Sequence, residues 1–244
     1  EVSVLSAPLP SVLSPRTRLV VLSHVNWRTG YEMPIREIAD AAHAVGARLA
    51  VDGAQSAGVI PLDLEALGAD YYAIPGQKWL LGPEGNGALF VRRDRIAELA
   101  PTFAGYFTKR DPDASDDSGH FIPPPDARRY EVGTLYWPAL HGMLASLRWL
   151  EDEVGHAFLT SRIAEMTRRC REMLEAVPGV TIHSPERHAG LTTFSVGEGD
   201  PWPIVEALAE RGVVIRSLPH STHLRVSTGF FNTEEDLERL VEGL

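Results

Sequence analysis

The sequence VDGAQSAGVIPLDLEALGADYYAIPGQKWLLGPEGNGALFV, residues 51–91, decides the fold. Its short apolar segments each run into a polar or glycine-rich turn. Buried strands are predicted at 48–52 and 70–74, with a short helix at 60–67 between them, and a further strand is predicted at 88–91. Strands that alternate with helices in this way indicate a parallel α/β sheet.

The same alternation begins upstream. Residues 19–25, LVVLSHV, are an apolar run that predicts another buried strand. A helical pattern then begins at Pro34 and ends at Gly46. Its apolar face consists of Ile35, Ile38, Ala39 and Ala42. We therefore expect a parallel sheet with helices packed on both of its faces.

The second half of the chain has a different pattern. Residues 111–129 are rich in Asp, Ser and Pro and are predicted to be a loop, and two long helices are predicted at 138–153 and 157–176. Shorter elements follow: strands at 180–183, 192–196, 213–217 and 224–227, and helices at 203–211 and 233–242. We therefore expect residues 1–137 to belong to a large domain, and residues 138–244 to form connecting helices and a smaller C-terminal α/β domain.

Composition excludes several classes of function. Hydrophobic residues are 44% and charged residues 23%, as in an ordinary globular protein. The net charge is −10 and no Lys/Arg cluster indicates a nucleic-acid partner. No apolar run approaches the ~20 residues of a membrane-spanning helix, and we predict no metal site. Cys170 is the only cysteine, which excludes an intrachain disulfide and is consistent with a cytoplasmic location.

Chemically informative residues follow the predicted strands. Ligands of open parallel sheets bind at the carboxyl ends of the strands. Asp52 ends its strand, Lys78 follows the next one within a glycine-rich turn, and Asn26 and Trp27 follow the first. Alone, Asp52 could be a helix N-cap and Lys78 a solvated lysine. The glycine spacing from Gly82 does not match GxGxxG, and a strand follows it, which argues against a dinucleotide site.

Together, Asp52 and Lys78 are the pair of groups that pyridoxal phosphate (PLP) chemistry uses. A lysine amine bonds the aldehyde of the cofactor. A carboxylate keeps the pyridine nitrogen protonated, so that the ring accepts electrons from the substrate.

SHVNWRTG at 23–30, followed by the 51–91 stretch, resembles the class V aminotransferase family of fold-type I PLP enzymes. The resemblance continues through YEVGTLYWPAL at 130–140 to LRVSTGFFNTEEDLERL at 224–240. Within the family, the sequence most resembles cystine and cysteine C–S lyases and isopenicillin N epimerase-like proteins. It implies a fold with a mostly parallel sheet in a large domain and a smaller C-terminal α/β domain.

The resemblance also implies roles for residues near the cofactor. Lys78 would carry PLP and move the proton at the substrate α-carbon, and Asp52 would face the pyridine nitrogen. Gln55 would hydrogen-bond the ring hydroxyl oxygen, Trp27 would lie near the ring, and Gln77 would replace a histidine that desulfurases carry.

Further roles concern the partner subunit and the substrate. Thr134 would reach the cofactor phosphate of a neighbouring subunit, which implies a homodimer with shared active sites. Arg225, assisted by Arg216, would bind the carboxylate of an amino-acid substrate, because a guanidinium matches a carboxylate bidentately. Without the resemblance, both arginines would be interpreted as surface ion-pair partners.

The sequence also departs from the family pattern. Pro75 stands where many members have a Ser or Thr that donates to the phosphate. The first third of the family pattern, which supplies a phosphate-binding helix N-terminus and a residue that stacks on the ring, has no counterpart before Ser23. We therefore expect this chain to supply only part of a PLP pocket.

The reaction is narrowed by a missing nucleophile. Desulfurases need a cysteine between the two arginines, and residues 217–224, SLPHSTHL, contain none. Cys170 lies mid-helix and is interpreted as an inert thiol. We therefore expect a lyase that cleaves a C–S bond by β-elimination, with His220 or His223 as a possible general acid or simply a solvated loop residue. An aminotransferase, an epimerase and a non-catalytic truncated relative that serves as a partner subunit are the alternatives.

Overall fold

The computed structural model describes residues 12–110 and 118–244. The loop predicted at 111–129 is therefore described only from residue 118. There the backbone is irregular up to a 3-10 turn at Ala127–Tyr130.

Four strands form the first sheet: β1 (Leu19–Ser23), β2 (Arg48–Asp52), β3 (Tyr71–Pro75) and β4 (Gly87–Val91), in the order β1-β2-β3-β4. The β1–β2 and β2–β3 pairs are parallel, and β4 is antiparallel to β3. The predicted α/β class with a mostly parallel sheet is confirmed. The reversal of β4 follows from its connection, because residues 76–86 contain no helix, whereas parallel crossovers take about a dozen residues or more.

One face of this sheet is covered by α1 (Ile35–Ala44), whose buried residues are the four that the sequence pattern predicted. They pack against Val20, Leu49 and Tyr72 in a common core. Each fully buried aliphatic or aromatic side chain contributes roughly 1.5–3 kcal/mol to folding. The short helix α2 (Leu64–Leu67) packs on the same core and is capped by the Asp63 carboxylate.

On the other face of the sheet, side chains are exposed to solvent within the part of the chain that the structure describes, which corrects the expectation of helices on both faces. Leu19, Val21 and Leu89 point away from the α1 core, and 51%, 68% and 47% of their surface is exposed. Asp52 lies on this face as well, since alternate residues of a strand point to opposite sides.

A second, fully antiparallel sheet has the order β5-β6-β8-β7. Its strands are β5 (Val180–Ile182), β6 (Leu191–Val196), β7 (Arg216–Ser217) and β8 (Leu224–Ser227). The helices α4 (His156–Glu175), α5 (Trp202–Glu210) and α6 (Glu234–Glu242) pack on it around a core that includes Leu174, Phe194, Leu208 and Leu237. The helix α3 (Trp137–Trp149) and one π-helical turn, Leu150–Val154, precede α4. The domain boundary between residues 137 and 138 stays a prediction.

Candidate active site

A cleft of about 460 Å³ lies where the carboxyl end of the first sheet meets the second sheet. Five of the predicted site residues line it: Trp27, Gln55, Lys78, Arg216 and Arg225. They come from three different loops and two strands, so the fold brings together residues that are distant in sequence.

Lys78 is placed by a tight turn that follows β3. The backbone N–H of Gly82 donates to the carbonyl oxygen of Gly76 at 2.9 Å, and the N–H of Leu81 donates to that of Lys78 at 3.0 Å. Leu81 has a φ of 57°, a left-handed conformation that is uncommon outside glycine. The turn holds the exposed Lys78 side chain at the cleft.

Gln55 comes from the loop after β2. Its Oε1 atom accepts a hydrogen bond from the indole Nε1 of Trp79, with 2.9 Å between the two atoms. Trp79 also lines the cleft, although sequence reasoning did not select it. The only sequence signal for it was its position directly after Lys78.

Asp52 is close to the cleft but is not among its lining residues. Its carboxylate accepts hydrogen bonds from the Ser23 hydroxyl (3.2 Å) and from the backbone N–H of Ala54 (2.9 Å). The side chain is exposed on the open face of the sheet. These bonds hold the carboxylate at the strand end, and its contact with a cofactor stays a prediction.

A buried hydrogen-bond network supports the loop after β2. The Tyr72 hydroxyl lies 2.8 Å from Nδ1 of His24 and 2.5 Å from the Ser56 hydroxyl, and the Ser56 hydroxyl donates to the Gly53 carbonyl at 3.2 Å. Burial lowers the pKa of His24 to about 4 and raises the pKa of Tyr72 to about 12. Both groups are therefore neutral near pH 7, and the network stays free of charge.

The two predicted substrate arginines are cross-strand neighbours. Arg216 of β7 pairs in register with Arg225 of β8. Like charges in that position destabilise a sheet unless something neutralises them. Burial, together with the charge of Arg216, lowers the pKa of Arg225 below its ordinary value. The Nε atom of Arg225 is buried and has no partner among the described residues. This pair is suited to bind an anion.

Trp27 is carried on a loop whose first turn is made by Asn26. The Asn26 Oδ1 atom accepts hydrogen bonds from the backbone N–H groups of Arg28 (2.9 Å) and Thr29 (3.1 Å). Asn26 therefore shapes the backbone, and the Trp27 ring is left to line the cleft.

The part of the structure built around the second sheet is called the second lobe, and the part built around the first sheet the first lobe. The second lobe holds this loop from the other side. The Ser184 hydroxyl donates to the carbonyl of Thr29 at 2.6 Å, and the backbone N–H of Ala189 donates to that of Gly30 at 2.9 Å. The position of Trp27 therefore depends on both lobes.

Other predicted residues lie outside the cleft lining. Gln77 and Thr134 are exposed. His220 is exposed, and His223 stacks on His183 with 3.9 Å between the ring centroids. Cys170 is buried, and burial raises the pKa of its thiol to about 12, as expected of an inert cysteine.

The family model described as Aminotransferase class-V matches residues 3–240. This chain belongs to the class-V aminotransferase family. The resemblance predicted from the motifs around Asp52 and Lys78 is confirmed.

Several class-V relatives are similar over nearly the whole chain. A probable cysteine desulfurase of Halalkalibacterium halodurans is 29% identical over 95% of this chain, which covers 58% of that protein. Isopenicillin N epimerase of Streptomyces clavuligerus is 32% identical over 98% of the chain and 63% of that protein. The chain thus spans about 60% of the length of these relatives.

Solved structures show the same similarity. The cystine C–S lyase C-DES, in complex with its product cysteine persulfide, superposes with a TM-score of 0.86 at 31% identity, covering 96% of this chain and 62% of that one. The cysteine desulfurase CsdA of Escherichia coli superposes with a TM-score of 0.84 at 27% identity, covering 96% and 60%. The fold-type I class predicted from the sequence is confirmed.

Sequence reasoning also missed four apolar residues that line the cleft: Leu81, Ile163, Phe230 and Phe231. Phe230 and Phe231 lie shortly before Thr233, the N-cap of α6, and their rings meet edge to face at 5.4 Å between centroids.

Among the described residues, no helix is long and apolar enough to cross a membrane, and no cluster of His, Cys, Asp or Glu could hold a metal ion.

Proposed function

We propose that this chain forms part of a PLP-dependent enzyme that acts on an amino acid and cleaves a C–S bond by β-elimination. The observation that carries the proposal is that Lys78 and Gln55 face the same cleft as the adjacent Arg216 and Arg225. An amine, an amide donor and an anion site then meet in one cleft, as chemistry on a bound amino acid requires. The likeness to a cystine C–S lyase supports the choice of reaction.

The residues present fit PLP. Lys78 and Lys109 are the two lysines of this sequence, and Lys78 is the one that lines the cleft. Gln55 would donate to the ring hydroxyl oxygen, Asp52 would face the pyridine nitrogen, and Trp27 would cover the ring. Gln77 would donate a further hydrogen bond. When bound, PLP supplies an electron sink that stabilises negative charge at the substrate α-carbon.

The chain's own residues would divide the remaining work. Arg225 and Arg216 would hold the substrate carboxylate and so fix the orientation of the α-carbon. The Lys78 amine would take the α-proton, after which the Cβ–S bond would break and its electron pair would leave with the sulfur. Because residues 217–224 contain no cysteine, no protein thiol would take up that sulfur. This favours direct elimination over persulfide transfer to the enzyme.

Epimerisation is the second candidate, favoured by the 32% identity to isopenicillin N epimerase. It would use the same proton transfer at the α-carbon, with return of the proton to the opposite face and no cleavage at Cβ.

The proposal extends to assembly and location. Thr134 is exposed just before α3, where a side chain is available to a neighbouring subunit. We propose a homodimer in which Thr134 reaches the phosphate bound by its partner. Residues 1–137 would belong to the large domain, and residues 138–244 to the connecting helices and the small domain. We also propose a cytoplasmic location. The molecular mass in solution tests the assembly.

The cofactor experiment is reduction of the PLP-loaded protein with borohydride, followed by peptide mapping. We expect a stable adduct on Lys78 that Lys78→Ala removes and Lys109→Ala retains. Release of pyruvate and cysteine persulfide from cystine, with the persulfide read out as sulfide after an added thiol reduces it, would then establish elimination, whereas racemisation alone would establish epimerisation. An unmodified Lys78 in the wild-type protein would contradict the proposal and favour a non-catalytic partner subunit.

A further inference from the structure

We infer that Trp79 is a positioning residue that fixes the orientation of the Gln55 amide, so that Gln55 presents only its N–H₂ group to the cleft. The inference rests on the proposed function, because it assigns a task to Gln55 in holding the cofactor.

The first step is the chemistry of the hydrogen bond. An indole N–H can only donate, whereas a glutamine amide has one accepting and one donating end. The 2.9 Å bond between Trp79 Nε1 and Gln55 therefore requires Oε1 of Gln55 at that place. The Nε2 group of Gln55 must then lie on the other branch of the amide. No described residue accepts a hydrogen bond from it.

The second step is that Trp79 is held in place by packing. Trp79 packs against the apolar cluster that contains Val59 and Leu159. A side chain at Gly190 would come within 3.2 Å of the indole ring, so the ring fits closely against bare backbone there. A side chain at Gly58 would come within 2.9 Å of the Trp79 carbonyl oxygen. The donor therefore has little freedom to leave Gln55.

The consequence is a preorganised donor. A free amide could turn either end toward a ligand, and its oxygen would repel an oxygen anion. Trp79 removes that choice before the ligand arrives, so the cleft offers a fixed N–H₂ group to an oxygen acceptor such as the ring hydroxylate of PLP. A tryptophan hydrogen bond that does not involve Gln55 would have no such effect on the bound cofactor.

The test compares Trp79→Phe with Trp202→Phe in the PLP-loaded protein. Trp79→Phe keeps an aromatic ring and removes the N–H. Trp202→Phe makes the same change in a half-exposed tryptophan that does not line the cleft. Trp79→Phe is expected to weaken PLP binding about tenfold, as the loss of one hydrogen bond does, and to shift the pH midpoint of the bound-cofactor absorption band. Trp202→Phe should leave both unchanged.

A double-mutant cycle with Gln55→Ala tests whether Trp79→Phe changes PLP affinity through Gln55. If Trp79 acts through Gln55, Trp79→Phe should change PLP affinity less than about twofold in the Gln55→Ala background. A full tenfold loss there would overturn the inference, because Trp79 would then act independently of Gln55.

Gln55→Glu covers the case in which Trp79→Phe does not fold. A glutamate accepts the Trp79 bond but has no donor for the cofactor, so it should reproduce the spectral shift with the indole bond intact. Wild-type spectra from Gln55→Glu would overturn the inference. A missing adduct on Lys78 in the wild-type protein would overturn the proposed function as well, whereas a wild-type PLP affinity and pH midpoint in Trp79→Phe, with the adduct present, would overturn this inference alone.

Discussion

The guanidinium of Arg225 donates a 2.6 Å hydrogen bond from Nη1 to the backbone carbonyl oxygen of Trp27. One residue lies on β8 of the second sheet, and the other lies on the loop after β1 of the first. The bond therefore joins the two lobes at the cleft. Among the described residues, Nε of Arg225 is buried without a hydrogen-bond partner, so the side chain combines a structural bond with a donor that is left for an anion.

Arg225→Ala is predicted to raise the KM for the amino-acid substrate about 10- to 100-fold, because hydrogen bonds to charged groups contribute about 1.5–3 kcal/mol. The cofactor adduct on Lys78 should still form. Steady-state kinetics measure substrate binding, and borohydride reduction with peptide mapping measures cofactor attachment, so the two effects of the substitution are separated. Arg168→Ala, a change in an exposed arginine paired with Glu172, is the control and should leave KM unchanged. An unaltered KM in Arg225→Ala would contradict the substrate role.

Gly30→Ala is predicted to destabilise the protein by about 2–4 kcal/mol and to weaken cofactor binding. Gly30 has a φ of 73°, and a Cβ there would overlap the carbonyl oxygen of Leu191 on the second lobe. Gly46→Ala is the matched control, since its φ is 80° and nothing lies within 4 Å of the added Cβ. It should cost only about 1 kcal/mol. Equal losses of unfolding free energy would show that the lobe contact does not matter.

Stability is predicted to fall as the pH is lowered from about 6.5 through 4, with a contribution of about 3 kcal/mol from His24. Burial depresses its pKa to about 4, so between these values the unfolded chain binds a proton that the folded chain excludes. The stabilising contribution of His24 is therefore fully present above pH 6.5 and is lost progressively as the pH falls towards 4. Urea unfolding at pH 7.5 and pH 5 measures the slope.

His24→Gln provides the control for this pH dependence, because an amide does not titrate. The variant is expected to be less stable at pH 7.5, where the bond to Tyr72 is altered, but to lose less stability on acidification. A wild-type slope in His24→Gln would assign the acid sensitivity to other groups.

Cys170 is predicted to resist alkylation in the folded protein and to react only after unfolding, because burial keeps the thiol protonated. Cys170→Ala should retain the release of sulfur from substrate. Thiol titration with and without urea checks the first statement, and a sulfide assay checks the second. Loss of sulfide release in Cys170→Ala would show that a protein thiol takes part in the reaction.

Local patterns in the sequence were sufficient for most of the fold. The apolar spacing of α1 matched its buried face residue by residue, because helical periodicity is contained within ten positions. The strand predicted at 48–52 and the one at 224–227 have the same bounds in the structure. The strand predicted at 213–217 is reduced to Arg216–Ser217, since the edge position of β7 depends on pairing with β8.

The sequence by itself determined that Lys78 follows a buried strand in a glycine-rich turn, that Asp52 ends the neighbouring strand, and that no cysteine lies between the two arginines. Only the tertiary structure decided that Arg225 bonds the backbone of Trp27, that the Trp79 indole bonds the Gln55 amide, and that Val21 is exposed on the sheet face opposite α1. The physical reason is the separation along the chain of the residues that interact. Periodicity and turn chemistry act between residues a few positions apart, whereas the cleft is made by side chains that meet only after both sheets have packed.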